Sequence, residues 1–339
     1  MAISYTSVDI RGKAVEPILE EVLFANKTIA DGLVTFNTDI KAGTIFTEAG
    51  VDVTAQLYTG NQLSSSGSMT IIDRIITPTK LEYKQTFLQE ALRAGRFGRS
   101  MNPGAWNIES SEFASTVLAQ YGPNVSQDAE SIFWGGITSA TKTAIAALTP
   151  GAGQGSMTAA TQTAVAALTA GLVDGVFSKV LYDNSALGGY IKVTGTTVTA
   201  SNIAAEMAKI FAAIPAENLN DTVSPTLIYC PRSWKQLCYN ANNAVGAAQQ
   251  INFQITGNDF ATSKVYYNGI ELAFVPTPNN LMAYAQRKAA ISWNTDLLDD
   301  VNRFEIGKVY NDADVQFVRS IYTLNANVGQ ATKGVLYGG

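Results

Sequence analysis

The side chains able to do chemistry in this 339-residue chain are few, and the most telling type is missing altogether. There is no histidine, which removes the usual general base at neutral pH, the Ser/His and Cys/His nucleophile pairs and the commonest metal ligand. Catalysis would therefore fall to carboxylates and lysines. Asp296, Asp299 and Asp300 crowd the run NTDLLDD and offer oxygen ligands for a hard cation. The run lacks the D-x-D-x-D-G order of a calcium loop, so a solvated turn is the better reading. Ser139 and Lys142 fit S-x-x-K, a known nucleophile pair, but its companions S-D-N and K-T-G are absent. Gly151 and Gly153 begin a glycine-rich stretch, GAGQGS. Ser156 stands where a phosphate loop needs its third glycine, and no Lys-Ser/Thr follows. The two cysteines, Cys230 and Cys238, form no CxxC pair and read as buried thiols. Arg93, Arg96 and Arg99 gather in a glycine-rich tail, where they would meet phosphate, a neighbour's acidic rim or only solvent. No catalytic, metal or cofactor site is expected.

Composition agrees with a folded but unusually uncharged protein. The apolar fraction is 46% and the charged fraction 15%, with a net charge of −5. Much of the polar surface must come from Thr, Ser, Asn and Gln, which suits contact with other protein surfaces. Lys and Arg are scattered, without the basic stripe of a dedicated nucleic-acid binder. The N-terminal residues lack the regions of a signal peptide and no apolar run is long enough to span a membrane. The expected site of synthesis is the cytosol.

The elements that would position these residues begin with an arm, Met1 to Lys13. A short helix opened by Pro17 follows, with Ile18, Leu19, Val22, Leu23 and Ile29 on one face and Asp31-Gly32 as its stop. From Leu33 to Pro78 the pattern alternates, with glycines at 43, 50, 60 and 67, which predicts a long β-hairpin. Such a hairpin either packs on its own domain or reaches onto a neighbour. Thr79 to Leu92 is predicted helical. Glu109 to Trp134 is a long amphipathic helix with Phe113, Val117, Tyr121, Val125, Ala129 and Ile132 as its stripe, capped by Ser110 and bent at Gly122-Pro123. ATKTAIAALT (140–149) nearly repeats as ATQTAVAALT (160–169), a local duplication or insertion. Short strands follow at 190–193 and 196–199. An amphipathic helix carries Ile203, Met207, Ile210, Phe211 and Ile214, a buried strand spans 226–230, and a helix opens at Pro231. Long strands close the chain, including 289–293, 303–310 and 315–324. The fold class is α+β.

The order of these parts resembles the major capsid proteins of tailed bacteriophages with the Hong Kong 97 fold. MTIIDRIITPTKLEYKQTFLQEAL (69–92), AESIFWGG (129–136), AAEMAKIFAAIPAENL and the closing NGIELAFVPT…ISWNTDLLDDVNRFEIGKVY are similar to capsid proteins of phages of Bacteroidetes hosts. The resemblance implies an arm and short helix at 1–32, an extended loop at 33–78 and a peripheral domain at 79–190 with its spine helix at 109–134. An axial domain at 191–288 and return strands at 289–339 complete it. It implies that Ile40, Lys41, Phe46, Leu57, Tyr58, Arg93, Arg96 and Arg99 are candidate contacts between subunits.

The implied function is structural. Pentamers and hexamers would build an icosahedral shell around a double-stranded DNA genome, non-specifically enclosed, with portal and scaffold proteins as further partners. The shell would assemble in the bacterial cytoplasm and reside in the virion, with no membrane involved. The alternatives are an encapsulin-like compartment shell and a carboxylate-dependent hydrolase. Some members of the fold join a lysine of the extended loop to a neighbour's asparagine. Here the hairpin offers only Lys41, beside a glycine turn that would not lower its pKa, with Asn325 and Asn327 as possible partners and no adjacent glutamate. A shell without covalent links is expected.

Overall fold

The computed structural model describes residues 27–40, 43–53, 67–88, 111–148, 158–182, 190–244, 253–257, 259–296, 304–309, 312–330 and 333–338. In chain order these hold α1 (Lys27–Ala30), β1 (Thr35–Asn37), β2 (Thr44–Val53), β3 (Gly67–Ile76) and β4 (Thr79–Leu88). Four helices follow: α2 (Ser111–Gly135), α3 (Ser139–Ala146), α4 (Ala159–Ala166) and α5 (Val176–Tyr182). Next come β5 (Ile191–Thr194), α6 (Ile203–Ala213), α7 (Ala216–Leu219), β6 (Thr226–Pro231) and α8 (Arg232–Ala244). The remaining strands are β7 (Gln254–Thr256), β8 (Lys264–Tyr267), β9 (Ile270–Val275), β10 (Met282–Arg287), β11 (Ile291–Asn294), β12 (Phe304–Val309), β13 (Asp312–Val328) and β14 (Val335–Gly338).

One sheet runs β5-β14-β10-β6-β9-β8-β7 and is apolar on both sides. Because successive strand residues face opposite ways, β6 divides its side chains between two cores. Leu227 and Tyr229 join the cluster containing Phe133, Trp134 and Phe177. Ile228 and Cys230 join the cluster of Ile203, Met207, Ile210, Trp234 and Cys238. The same split occurs in β10, with Met282 and Tyr284 on one side and Ala283 and Ala285 on the other. Every residue of β6 is buried, as expected of a strand covered by helices on both faces. The two cysteines lie in this second core, where burial raises both thiols, Cys238 to about 12 and Cys230 well above its ordinary value, so they are inert at neutral pH.

The other large sheet is built around β13, seventeen residues long, which pairs with β4, β11 and β12, while β1 adds in parallel to β11. β13 matches β4 over ten consecutive residue pairs, from Val315↔Leu88 to Leu324↔Thr79. This corrects the expected helix over Thr79 to Leu92 for its described part. TKLEYKQTFL alternates, with Leu81 and Tyr83 turned toward the first core and Lys80, Glu82 and Lys84 exposed. The ladder with β13 outweighs the helix propensity of its Lys and Gln residues. Thr196 to Thr199, expected as a strand, forms none, and β5 stops at Thr194. There Gly195 admits the Tyr337 ring so closely that a Cβ would sit 1.9 Å from its hydroxyl. β14 returns to the first sheet, between β5 and β10.

The near-repeat folds as two equivalent helices that cap each other. Thr138 and Thr158 are their N-caps, each accepting from the amide three residues on, Thr141 and Thr161. Lys142 Nζ donates to the Leu168 carbonyl at 2.7 Å beyond the end of α4. Gln162, its counterpart twenty residues later, donates to the Ile145, Ala146 and Leu148 carbonyls at the end of α3. The S-x-x-K match is thereby accounted for without chemistry, since Lys142 is a helix cap and Ser139 lies exposed.

Candidate assembly interface

Among the described residues β2 and β3 pair only with each other, in register from Thr44↔Ile76 to Val53↔Gly67. A two-stranded ribbon is marginal by itself in water, so its root and its surface decide its purpose. The root is well fixed. The Ile40 amide donates to the Thr295 carbonyl at 3.1 Å and the Thr295 amide to the Asn37 carbonyl at 3.0 Å. Gly43, at φ +85° where glycine is favoured, turns the chain outward and its amide meets the Ile76 carbonyl. On the return side only Thr77 and Pro78 separate β3 from β4, and Asn325 Nδ2 donates to the Thr77 carbonyl at 3.0 Å.

Register places Ile45 opposite Ile75, Thr47 opposite Asp73, Ala49 opposite Ile71 and Val51 opposite Met69, all on one face. Ile45 is 60% exposed, Met69 63%, Ile71 57% and Ile75 72%. Leaving four aliphatic side chains this open forgoes on the order of 5 kcal/mol of burial. Apolar surface gathered on one rimmed face marks a contact site. The acid on this face, Asp73, accepts from Thr47 Oγ1 at 2.7 Å.

The body that carries the ribbon is locked by buried polar nodes. Glu130, deep in α2, accepts from the Thr28 amide and hydroxyl at 3.1 and 2.7 Å and pairs with Arg232 at the start of α8. Trp134 Nε1 donates to the same Thr28 hydroxyl at 2.8 Å, and its ring meets Phe133, Phe177 and Tyr229. One carboxylate so joins α1, the long helix and α8. A second node centres on Glu206. Burial works to raise its pKa, but hydrogen bonds from Lys209, Tyr337 and Thr196 prevail and hold it below the ordinary glutamate value. A third ties β4 to the long helix. Tyr83 and Tyr322 stack and their hydroxyls meet at 3.0 Å, while Tyr83 donates to Asp128. Burial, with Tyr322 and Asp128 beside it, drives the Tyr83 phenol far above its usual range.

Of the expected contact residues, Ile40 is half-buried at the root of the ribbon and Phe46 half-buried on its other face, in register with Arg74. Lys41, Leu57, Tyr58, Arg93, Arg96 and Arg99 lie outside the described residues, as do the arm, the Gly151–Ser156 tip, Asp299 and Asp300. Asp296 closes the described run after β11, its amide donating to Thr323 Oγ1. Among the described residues no group of three or more Cys, Asp or Glu comes together as a metal site. The sequence reading missed Ile45, Met69, Ile71 and Ile75 as a set. Their period-2 spacing was visible, but which face would be left uncovered depends on the rest of the fold.

No protein-family model and no curated protein matches the sequence. Solved structures do. The chain is similar to one in the satellite phage P4 procapsid that includes the size-determination protein Sid, at a TM-score of 0.54 and 11% identity, covering 98% of this chain and 93% of that one. It is similar to the capsid of the native GTA particle at 0.53 and 11%, covering 99% and 94%. A structure from Gordonia phage Cozz matches at 0.51 and 10%, covering 92% and 86%. The fold is that of phage capsid proteins of the Hong Kong 97 type.

Proposed function

We propose that this chain is the major capsid protein of a tailed phage. It associates into hexamers and pentamers that close an icosahedral shell around double-stranded DNA in the virion, assembling in the host cytoplasm with portal and scaffold proteins. The observation that carries this reading is the ribbon, whose apolar face finds no cover among the described residues of its own chain, on a fold shared with capsid proteins across nearly its whole length. The chemistry agrees, because the S-x-x-K pair is a cap and the thiols are buried. DNA would be confined without sequence-specific grip, in keeping with the net charge of −5.

The shell is held without covalent links. Asn325 and Asn327 are buried in β13, and the Asn325 amide is engaged by Thr77, so neither is open to a neighbour's lysine. Mature particles boiled in detergent should run as one band near 36.1 kDa, and a ladder of multiples would refute this. Electron microscopy of the purified protein tests the main reading. Closed shells carrying nuclease-protected DNA are expected, shells holding a cargo protein would favour the compartment alternative, and a protein that stays monomeric with scaffold supplied would overturn both.

A further inference from the structure

A cleft of about 420 Å³ lies between α1, the first turn of α8, the loop 260–263 and strands β8 and β9. Its walls are apolar at Leu33, Phe260 and Phe274, and the Phe260 ring is 51% exposed. Half of its six charged side chains are already matched, Lys264 with Glu271 at 2.8 Å and Arg232 with Glu130. Lys27 and Lys235 have no carboxylate partner among the described residues. Lys235 Nζ donates to the Ser263 carbonyl at 2.8 Å and lies 5.1 and 5.9 Å from the ring centroids of Phe260 and Phe274. Burial, and then repulsion from Lys27, holds its ammonium below the ordinary lysine value, with Asp31 opposing. An arriving carboxylate would relieve both stresses.

The ribbon presents the complementary surface. Asp73 lies between Ile71 and Ile75 on the exposed face, with one oxygen taken by Thr47. Alternate residues of a strand stand about 7 Å apart, so an acid flanked by two aliphatic chains matches a pair of ammonium groups flanked by Phe260 and Leu33. A polyphosphate would meet the carboxylates of Asp31 and Glu271 in the same walls. We propose that the cleft of one copy receives the Ile71–Asp73–Ile75 face of a second copy's hairpin, with the carboxylate between Lys27 and Lys235 and an aliphatic chain against Phe260. This deepens the reading of the ribbon as an intersubunit arm and rests on it.

Charge reversal tests it. Asp73→Lys alone and Lys27→Glu alone should each lower the yield of sedimenting particles by about tenfold or more at low salt, since like charges face each other. The combined variant should restore particles to within about threefold of the parent. Both positions are exposed, so circular dichroism and melting of the soluble subunit should not change. Single variants that assemble like the parent, or a combined variant no better than either, would overturn the docking. Should Asp73→Lys fold poorly, Asp73→Cys mixed with Lys27→Cys should give a disulfide-linked dimer on oxidation. Cys230 and Cys238 are buried and do not compete, and absence of the dimer overturns the proposal. A hairpin-shortened variant separates the two levels. If it still forms shells the arm reading fails, whereas if it fails to while the charge variants assemble normally, only the cleft is wrong.

Discussion

The seven-stranded sheet and the β2–β3 ribbon are made of similarly apolar strands, yet one is buried on both faces and the other leaves one face uncovered. TLIYCP in β6 feeds two cores at once, while the described side chains of TIFTEAGVDV and GSMTIIDRII join neither cluster. The difference separates two uses of the same hydrophobic effect. In the sheet, burial happens when the chain folds. In the ribbon, on the function proposed above, it is deferred until a second chain arrives, so folding and assembly would draw on different residues and answer to different mutations.

The largest separation should come from Trp134→Ala. It removes a fully buried indole and its hydrogen bond to the Thr28 hydroxyl, which should cost about 3–5 kcal/mol in urea unfolding of the subunit. If stability barely moved, the sheet would not be the folding core. Replacing Thr44–Ile76 by a tight Asn-Gly turn is the converse experiment. Subunit stability should change little, and closed particles should vanish by electron microscopy. Gly195→Ala comes next, since its Cβ would collide with the Tyr337 hydroxyl. A loss of about 1–3 kcal/mol by thermal melting is expected. Ile75→Ser on the ribbon should shift subunit stability by under about 0.5 kcal/mol, yet reduce particle yield.

The smallest effect is a pH dependence. Glu206 is held below the ordinary glutamate value when folded, so its contribution is fully present above the unfolded pKa of about 4.3 and fades as pH falls through the folded value. Stability of the parent should therefore drop on acidification below about pH 4.3, and Glu206→Gln should flatten that part of the curve. An unchanged slope would mean that the node does not titrate with folding.

Local pattern revealed a good deal of this. The hairpin is legible because glycines punctuate period-2 alternation, and α2, α6 and β6 because their periods are clean. The failures share a cause. TKLEYKQTFL reads as a helix from propensity alone, because what makes it a strand is β13, more than two hundred residues away. The expected stripe of α2 caught Val125 and Ala129 but passed over Phe133 and Trp134, which are fully buried because two sheets converge on the end of that helix. The reciprocal capping of α3 and α4 was hidden in plain Lys142 and Gln162, whose partners only the folded pair brings near. At the interface, sequence placed the ribbon but chose Phe46, on the half-buried face, and left out Ile45 beside it.

The join at Thr77-Pro78 gives the ribbon a mechanical character. A neighbour tugging on it would load β4 through this two-residue join, and the hydrogen bonds from β4 to β13 lie across the strand. A load along β4 would strain ten matched residue pairs together in shear, where a strand drawn sideways would part them one after another like a zipper. The tension passes into β13 and, through Tyr83 and Asp128, into the long helix. An arm anchored in this way transmits force between subunits as a tie rod does, and it would fail at its own marginal two-stranded ladder before tearing its root from the body.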